Sequence, residues 1–212
     1  MIFIDREDAG RQLAAALAGV LPPPPATGVV VLGLPRGGVP VAAQVAAAFG
    51  ARLDVIVVRK LGVPYRPELG MGAIGEGGTE VLNPMVLAEA DVSEAELNEV
   101  RRRERAELER RARRYRGDRP PVPLAGMIAV VVDDGVATGS TARAACQIAR
   151  AREAARVVLA VPVAPADFAD RLSGVADEFV CVARPEPFYS IGQFYRDFSP
   201  TSDIEVIGYL AG

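Results

Sequence analysis

The feature that most constrains the fold of this chain is an alternation of short Val-rich runs with longer Ala-rich stretches. The Val-rich runs are apolar throughout, which is typical of strands buried on both faces of a parallel sheet. Ala-rich stretches between such strands are typical of crossover helices. The predicted strands are residues 28–34, 53–59, 127–133, 157–163 and 178–182, and the predicted helices are 5–20, 39–49, 141–152 and 165–173. The pattern therefore predicts an α/β fold with an open, mainly parallel sheet flanked by helices.

The composition excludes several classes of protein. None of the 212 residues is histidine, so Ser-His-Asp hydrolases and His-ligated zinc or iron sites are excluded. The formal net charge of −3 argues against general nucleic-acid binding. The longest apolar runs, 127–132 and 157–164, are far shorter than the roughly 20 residues that a membrane span needs. Cys146 and Cys181 lie in apolar stretches without metal-ligand spacing, which indicates reduced thiols in a cytoplasmic protein.

Two segments interrupt the alternation, and we expect function in such places. Residues 60–83 are rich in Gly and Pro and contain a hairpin signal, Glu-Gly-Gly-Thr, at 76–79. Because glycines leave few side chains to pack, we expect this segment to be a mobile flap. Residues 93–115 are predicted to form a helix, since Ser93 and Glu96 make a capping box. No linker divides the chain, so we expect residues 1–212 to form a single domain.

The predicted helix is rich in arginine: residues 101–116 contain nine arginines and three glutamates. Glutamates precede arginines by four residues at 99 and 103, 107 and 111, and 109 and 113. This order favours a solvated helix face over a surface that binds polyanions. A thin apolar stripe follows the same helix and consists of Leu97, Val100, Leu108, Ala112 and Tyr115. The stripe could dock on the domain itself or on a second subunit, which would make the protein a homodimer.

The most informative stretch is residues 130–141, Val-Val-Val-Asp-Asp-Gly-Val-Ala-Thr-Gly-Ser-Thr, a buried strand followed by two acids and a loop that opens a helix. Gly135 and Gly139 allow tight turns, and the start of the helix adds its positive dipole end, so the loop suits an anion. The hydroxyl groups of Thr138, Ser140 and Thr141 can donate hydrogen bonds to phosphate oxygens. The loop is not a Walker A motif, because Ser140 stands where that motif has lysine.

Two acids, Asp133 and Asp134, directly follow the strand, at the carboxyl edge of the predicted sheet. Ligands of open α/β sheets bind at this edge. Two carboxylates beside a phosphate site are explained if the ligand also carries hydroxyl groups. A ribose 5-phosphate meets both conditions, since its phosphate would lie in the loop and its hydroxyls would donate to the aspartates.

The same stretch resembles the motif with which type I phosphoribosyltransferases bind phosphoribosyl pyrophosphate (PRPP): an apolar run, two acids, three variable residues, Thr-Gly, one residue and Thr. The similarity extends from the first predicted strand to about residue 182 and implies the fold of that family. By this resemblance Asp133 and Asp134 are catalytic. The implied substrate-binding residues of the motif are Gly135, Val136, Ala137, Thr138, Gly139, Ser140 and Thr141.

Two further segments resemble the pyrophosphate side of the family's site. Residues 32–38 are similar to the pyrophosphate loop, in which the peptide bond that matches Pro35–Arg36 is often cis. Residues 58–60 are similar to the strand end before the flap, where a basic residue meets pyrophosphate. That residue is the only lysine of the chain, which favours a functional ammonium group over chance. The resemblance implies that Arg36 and Lys60 are catalytic and that Pro35, Gly37 and Gly38 bind substrate.

The implied reaction is transfer of ribose 5-phosphate from PRPP to a nitrogen nucleophile, with a nucleobase as the expected acceptor, nucleotide salvage as its setting and pyrophosphate as the leaving group. Mg²⁺ would be held mainly by PRPP oxygens, so no protein metal cage is expected. The alternative is a regulatory protein that senses PRPP without transferase activity. Retention of both Arg36 and Lys60 favours the enzyme.

The resemblance also bears on the acceptor. Transferases of 6-oxopurines have an aspartate where this chain has Ala137, so hypoxanthine and guanine are disfavoured. Adenine transferases have alanine there and a flap glutamate near the base, for which Glu76 and Glu80 are candidates, but the helix at 93–115 is not part of that pattern. Residues 183–212 lie where the family builds a hood over the base. The hood's aromatic side chains could stack on a base or form a small hydrophobic core.

Overall fold

The protein is described by a computed structural model covering residues 3–168 and 174–211. In chain order the elements are α1 (Arg6–Leu17), β1 (Val29–Gly33), α2 (Gly38–Phe49), β2 (Arg52–Val55), β3 (Val58–Val63), β4 (Arg66–Gly75), β5 (Glu80–Leu82), α3 (Pro84–Glu89), α4 (Glu94–Arg116), β6 (Ile128–Val132), α5 (Ser140–Ala151), β7 (Arg156–Val163), β8 (Glu178–Ala183) and α6 (Asp203–Ala211). In this described part of the chain, no helix combines the length and apolarity needed to span a membrane.

Five parallel strands form the main sheet in the order β2-β1-β6-β7-β8. Its two faces are covered by different helices. Val131 and Leu159 face a core that includes α5, whereas Val130 and Val158 face a core that includes α1 and α2. The predicted α/β fold with an open, mainly parallel sheet is therefore confirmed.

The predicted strand at 53–59 is wrong as a single element. The parallel strand β2 ends at Val55, and β3 begins at Val58 in a second, antiparallel sheet. The two buried residues between them, Ile56 and Val57, carry the chain from one sheet to the other. Because residues 55–58 form one uninterrupted apolar run across the end of β2, the connection and the start of β3, hydrophobicity gave no sign of the break. Most of the helix predicted at 165–173 lies outside the described residues.

The second sheet has the order β3-β4-β5 and contains the segment expected to be a flap. We call it the flap sheet. Its β4–β5 hairpin confirms the turn predicted at 76–79, whereas the β3–β4 hairpin was not anticipated. The expectation that its glycines leave little to pack is wrong, because Leu61, Val63, Met71 and Ile74 are buried. The mobility of the segment without PRPP stays a prediction.

Helix α4 begins with the predicted capping box at Ser93 and packs its apolar stripe into the core of the flap sheet. The stripe therefore docks within the chain, and a homodimer stays a prediction. Of the three expected ion pairs, only the one between Glu107 and Arg111 is present in the described residues. Glu99 instead pairs with Arg102, three residues along the helix.

Candidate active site

The loop after β1 lies directly against the two acids that follow β6. A Cβ atom on Gly37 would lie 2.1 Å from Oδ2 of Asp134, and one on Gly38 would lie 2.8 Å from Cα of Asp133. Only glycine allows this approach at either position. The peptide bond between Pro35 and Arg36 is cis, as the resemblance implied. The structure thus brings together the two segments that the sequence assigned to one site.

The loop between β6 and α5 has the shape of an anion cradle. Gly139 has φ of 82°, and a Cβ atom there would lie 2.5 Å from the ring of Phe168. Because Gly139 is the N-cap of α5 and has no side chain, no side-chain cap occupies the first amide groups of the helix. Thr138, Ser140 and Thr141 are exposed at this end. Val136 differs, since its side chain is buried and its amide donates to the carbonyl of Val163 over 2.9 Å.

A cavity of about 580 Å³ joins several of the predicted residues. We call it the main cavity. It lies between the end of β1, the flap sheet, α4 and the start of α5. Among its lining residues are Pro35, Lys60, Ser140 and Thr141. The side chain of Lys60 is exposed, and its Nζ donates to the carbonyl of Glu68 over 3.1 Å.

Arg36 lies outside the lining of the main cavity. It lines an adjoining cavity of about 420 Å³ together with three arginines of α4, Arg110, Arg111 and Arg114. Pro35 and Arg111 line both cavities. The two predicted cations, Arg36 and Lys60, therefore line two neighbouring cavities.

The two acids have unequal surroundings. Asp134 is buried, and its Oδ2 accepts a hydrogen bond from Nε of Arg6 over 2.8 Å. The hydroxyl of Tyr195 donates to the backbone carbonyl of Asp134 over 2.6 Å. Asp133 has no cation within ion-pair distance in the described residues, and its Oδ1 accepts from the amide of Asp134 over 2.9 Å.

Burial raises the pKa of both carboxyl groups. For Asp133 the charge of Asp134 raises the pKa further, whereas Arg6 lowers the pKa of Asp134 and so opposes the effect of burial. The pair therefore holds protons more tightly than free aspartates do, and Asp133 is the more perturbed member.

Arg6 is a site residue that sequence reasoning missed. Its Nη1 donates to the carbonyl of Ser199 over 2.7 Å, and its guanidinium lies 4.1 Å from the ring centroid of Phe198. It stands 128 residues before its acidic partner, and an arginine at the start of a helix carries no local signal of such a role. The N-terminal helix and the C-terminal segment thus meet at Asp134.

The two flap glutamates considered for base recognition are engaged elsewhere. Glu76 pairs with Arg116 at the end of α4, and Glu80 pairs with Arg101 over 2.7 Å. Neither glutamate lines the main cavity. The structure therefore offers neither side chain to a base in that cavity.

The aromatic residues of the expected hood form a small core. Phe194 and Tyr195 are buried with Phe3, and Phe188 packs against them. Tyr189 is the exception, with 83% of its surface exposed. In residues 3–168 and 174–211, no three Asp, Glu or Cys side chains form a group that could hold a metal ion.

An open parallel sheet with two acids and a glycine-containing loop at its carboxyl edge defines an α/β protein whose candidate site lies where ligands of such sheets bind. The family model described as "Phosphoribosyl transferase domain" matches residues 7–197. The chain belongs to this family.

Known relatives support the same assignment. The chain is 56% identical over 209 residues to a protein of Mycobacterium tuberculosis strain H37Rv named "Putative phosphoribosyl transferase", and the match covers 99% of this chain. It spans 46% of that relative's length, and an identical match is found in strain CDC 1551. The crystal structure of TT1426 from Thermus thermophilus has a TM-score of 0.89 and 44% identity, covering 99% of this chain and 98% of that one. The AQ2163 protein of Aquifex aeolicus shares the fold at a TM-score of 0.51 and 13% identity, covering 88% and 78%.

Proposed function

We propose that this protein transfers ribose 5-phosphate from PRPP to a nitrogen atom of a nucleobase and releases pyrophosphate. The observation that carries the proposal is the contact between the loop of Gly37 and Gly38 and the acids Asp133 and Asp134. The contact supports the proposal because it brings the loop after β1 against the two acids at the start of the loop that leads into α5. Membership in the phosphoribosyl transferase domain family supports transfer chemistry. Such a reaction would serve nucleotide salvage.

Each part of the site has a role in this reaction. The 5-phosphate lies in the cradle, where Thr138, Ser140, Thr141 and the first amides of α5 donate to its oxygens. The ribose hydroxyls donate to the two acids. The bond between C1 and the pyrophosphate oxygen breaks with its electron pair on pyrophosphate. The acceptor nitrogen forms the new bond to C1 and gives up its proton to the departing pyrophosphate. Lys60 and Arg36 stabilise the leaving charge, and the flap sheet limits the access of water.

The donor set at the acids fits Mg²⁺ only with help from the substrate. Carboxylate oxygens are suitable ligands, but Oδ2 of Asp134 already accepts from Arg6. Asp133 and the remaining oxygen of Asp134 would hold the ion, and most ligands would come from PRPP. When bound, Mg²⁺ would neutralise charge on the pyrophosphate.

The test is a panel of nucleobases incubated with PRPP and Mg²⁺ and followed by pyrophosphate release. We expect release with at least one base, and none when Asp133 and Asp134 are both replaced by Asn. Tight binding of PRPP without release for any base would favour the second candidate, a PRPP-sensing regulator. That candidate gains support from Glu76 and Glu80, since both are paired away from the main cavity.

Lys60 separates the two candidates once a base is active. An enzyme needs the cation most as pyrophosphate gains negative charge, so Lys60→Ala should lower kcat by roughly 10²-fold and change PRPP affinity less. Lys60→Arg should restore part of the rate, because a guanidinium is broader and less concentrated in charge. Arg66→Ala is the matched control, since Arg66 is an exposed cation of the flap sheet that lines neither cavity. Equal rates for Lys60→Ala and Arg66→Ala would remove Lys60 from the catalytic residues.

A further inference from the structure

Arg6 is the first residue of α1, which is an unfavourable place for a cation. The N-terminus is the positive end of the helix dipole, so acidic side chains are preferred there. Glu7 and Asp8 follow this preference, whereas Arg6 departs from it. A residue that departs from a local preference is expected to have a role in the fold or the site. We therefore expect the tertiary contacts of Arg6 to outweigh the local cost.

The guanidinium of Arg6 is held on three sides. Its Nε donates to Oδ2 of Asp134 over 2.8 Å, and its Nη1 donates to the carbonyl of Ser199 over 2.7 Å. The ring centroid of Phe198 lies 4.1 Å from Cζ and covers one face of the group. Only 12% of the side chain is exposed. The guanidinium is therefore fixed in place and has little surface with which to bind an anion from solution.

The two ends of the described chain build this place together. The amide of Phe3 donates to the carbonyl of Phe194 over 2.7 Å, and the amide of Arg196 donates to the carbonyl of Phe3 over 2.8 Å. Between these two contacts lies Tyr195, whose hydroxyl donates to the backbone carbonyl of Asp134 over 2.6 Å. The C-terminal segment thus holds the backbone of this acid, while the guanidinium holds its carboxylate.

The loop after β1 encloses the same hydrogen bond. A Cβ atom on Gly37 would lie 2.1 Å from Oδ2 of Asp134 and 3.2 Å from Nε of Arg6. Glycine at this position therefore makes room for both atoms of the contact. Because Oδ2 is bonded to Arg6 and lies against the loop, Oδ1 is the oxygen of Asp134 that is left for a ligand.

We propose that Arg6 is a positioning residue that orients the carboxylate of Asp134 so that Oδ1 accepts a ribose hydroxyl. The inference rests on the proposed function, because it takes a ribose phosphate as the ligand. Arg6 acts through Asp134 and does not itself touch the ligand. Asp133 has no cation within ion-pair distance in residues 3–168 and 174–211, so only one acid of the pair is held in advance of binding. Such preorganisation strengthens binding because less freedom is lost when the ligand arrives.

A double-mutant cycle on PRPP affinity, measured by isothermal titration calorimetry with Mg²⁺, tests whether Arg6 acts through Asp134. Arg6→Met should weaken PRPP by about tenfold, as expected when a binding carboxylate loses the partner that orients it. The same substitution in the Asp134→Asn protein should change the affinity by less than about twofold, since that carboxylate is already gone. Arg11→Met is the matched control and should bind PRPP as wild type does. Arg11 lies on the same helix, has 56% of its side chain exposed and lines neither cavity.

Two further measurements separate orientation of the carboxylate from other effects. Arg6→Lys keeps the charge, and its Nζ lies one bond beyond the place of Nε, so this variant should recover most of the PRPP affinity. Ribose 5-phosphate and inorganic phosphate are then titrated without Mg²⁺ and followed by NMR. Arg6→Met should weaken ribose 5-phosphate about as much as it weakens PRPP. Inorganic phosphate has no ribose hydroxyl, so its affinity should stay unchanged.

The outcomes distinguish this inference from the proposed function. A loss of PRPP affinity that is equal with and without the carboxylate of Asp134 would overturn the inference, because Arg6 would then act by general attraction or by anchoring the C-terminal segment. An equal loss for inorganic phosphate, or no recovery in Arg6→Lys, would overturn it as well. If wild type binds PRPP and Arg6→Met binds it as tightly as Arg11→Met does, only the inference fails. If wild type binds neither PRPP nor ribose 5-phosphate, the proposed function fails and the inference fails with it.

A second variant keeps the test valid if Arg6→Met does not fold. Arg6→Gln places an uncharged N–H donor near the position of Nε, so the buried carboxylate of Asp134 keeps a hydrogen bond. Its loss of PRPP affinity should be smaller than that of Arg6→Met and should likewise disappear in the Asp134→Asn protein. A loss that persists there would contradict the inference.

Discussion

The phosphate-binding edge of the parallel sheet and the flap sheet are built by different kinds of interaction. At the edge, backbone segments approach so closely that only glycine fits, as at Gly37, Gly38 and Gly139. The flap sheet is instead fastened to α4 by ion pairs between side chains: Arg59 with Glu104, Glu80 with Arg101, and Glu76 with Arg116. Substitution of one of these edge glycines therefore creates a steric clash, whereas removal of one of these arginines leaves a carboxylate without its partner.

This difference in interactions also determines which residues of each region can be substituted. Arg116 is the most buried of the α4 arginines, with 5% of its side chain exposed, and its Nε lies 2.7 Å from Oδ1 of Asp54. It therefore joins β2 of the main sheet to the turn of the flap sheet at Glu76.

The largest expected effect is on the flap side. Arg116→Met should lower the free energy of unfolding by about 3–5 kcal/mol, because it leaves two buried carboxylates, Asp54 and Glu76, without their cation. Urea denaturation at neutral pH measures the loss. Arg102→Met on the exposed face of α4 should stay within about 0.5 kcal/mol of wild type. A loss below about 1 kcal/mol for Arg116→Met would mean that apolar packing alone holds the flap sheet.

The second prediction compares two glycines with similar φ angles, one at the phosphate-binding edge and one in the turn of the flap sheet. Gly139 and Gly77 have φ of 82° and 71°, so alanine costs about 1–2 kcal/mol of backbone strain at either position. At Gly139 the new Cβ would also lie 2.5 Å from the buried ring of Phe168, whereas at Gly77 nothing lies within 4 Å. We therefore expect Gly139→Ala to cost about 2–4 kcal/mol in total.

Thermal unfolding of the two alanine variants, with PRPP affinity measured alongside, checks this comparison. Gly139→Ala should also weaken PRPP, because the cradle shifts with the ring, and Gly77→Ala should not. Equal stability losses would show that Phe168 moves aside freely and that close packing does not shape the cradle.

The same contrast explains how much the sequence could predict. The cradle was predictable because its information is local: Asp133 to Thr141 is one run of nine residues, and their order dictates a strand end, a turn and a helix start. The capping box of α4 was predictable for the same reason. The flap sheet was predicted poorly, since Glu76 and Arg116 stand 40 residues apart and Asp54 and Arg116 stand 62 apart. No local sequence pattern predicts which of the many carboxylates a given arginine will pair with.

Arg36 and Arg6 show what could not be predicted from the sequence within the candidate site itself. The resemblance implied a pyrophosphate cation at Arg36, but its place beside the α4 arginines depends on how α4 packs against β3 and β4. Arg6 contacts Asp134 only because the parallel sheet brings the end of β6 next to the start of α1. Long-range packing of this kind follows from the fold and has no counterpart in the order of neighbouring residues.

The smallest expected effect separates the two neighbouring acids. Asp133→Asn should stabilise the fold at neutral pH by on the order of 1 kcal/mol, because burial and the charge of Asp134 raise the pKa of Asp133. Asp134→Asn should destabilise it by about as much, because Arg6, with 12% of its side chain exposed, loses its carboxylate. Both variants should weaken PRPP by about ten- to a hundredfold, since each removes an acceptor for a ribose hydroxyl.

The way the stability difference between Asp133→Asn and wild type changes with pH shows whether the fold favours the protonated or the charged form of Asp133. A carboxyl group whose pKa is raised in the folded state binds its proton more tightly there than in the unfolded chain, where the value is 3.8. Its stabilising contribution is complete below 3.8 and is lost as the pH rises through the folded-state pKa. The advantage of Asp133→Asn over wild type should therefore be small at a pH of about 3.5, grow as the pH rises and level off above that pKa. Urea unfolding at a series of pH values measures the difference, and an advantage that shrinks with rising pH would show that Asp133 is stabilised in its charged form by a partner. The proposed ribose-binding acid would then be a structural one, because a charge that stabilises the unliganded fold needs no ligand hydroxyl to account for its position.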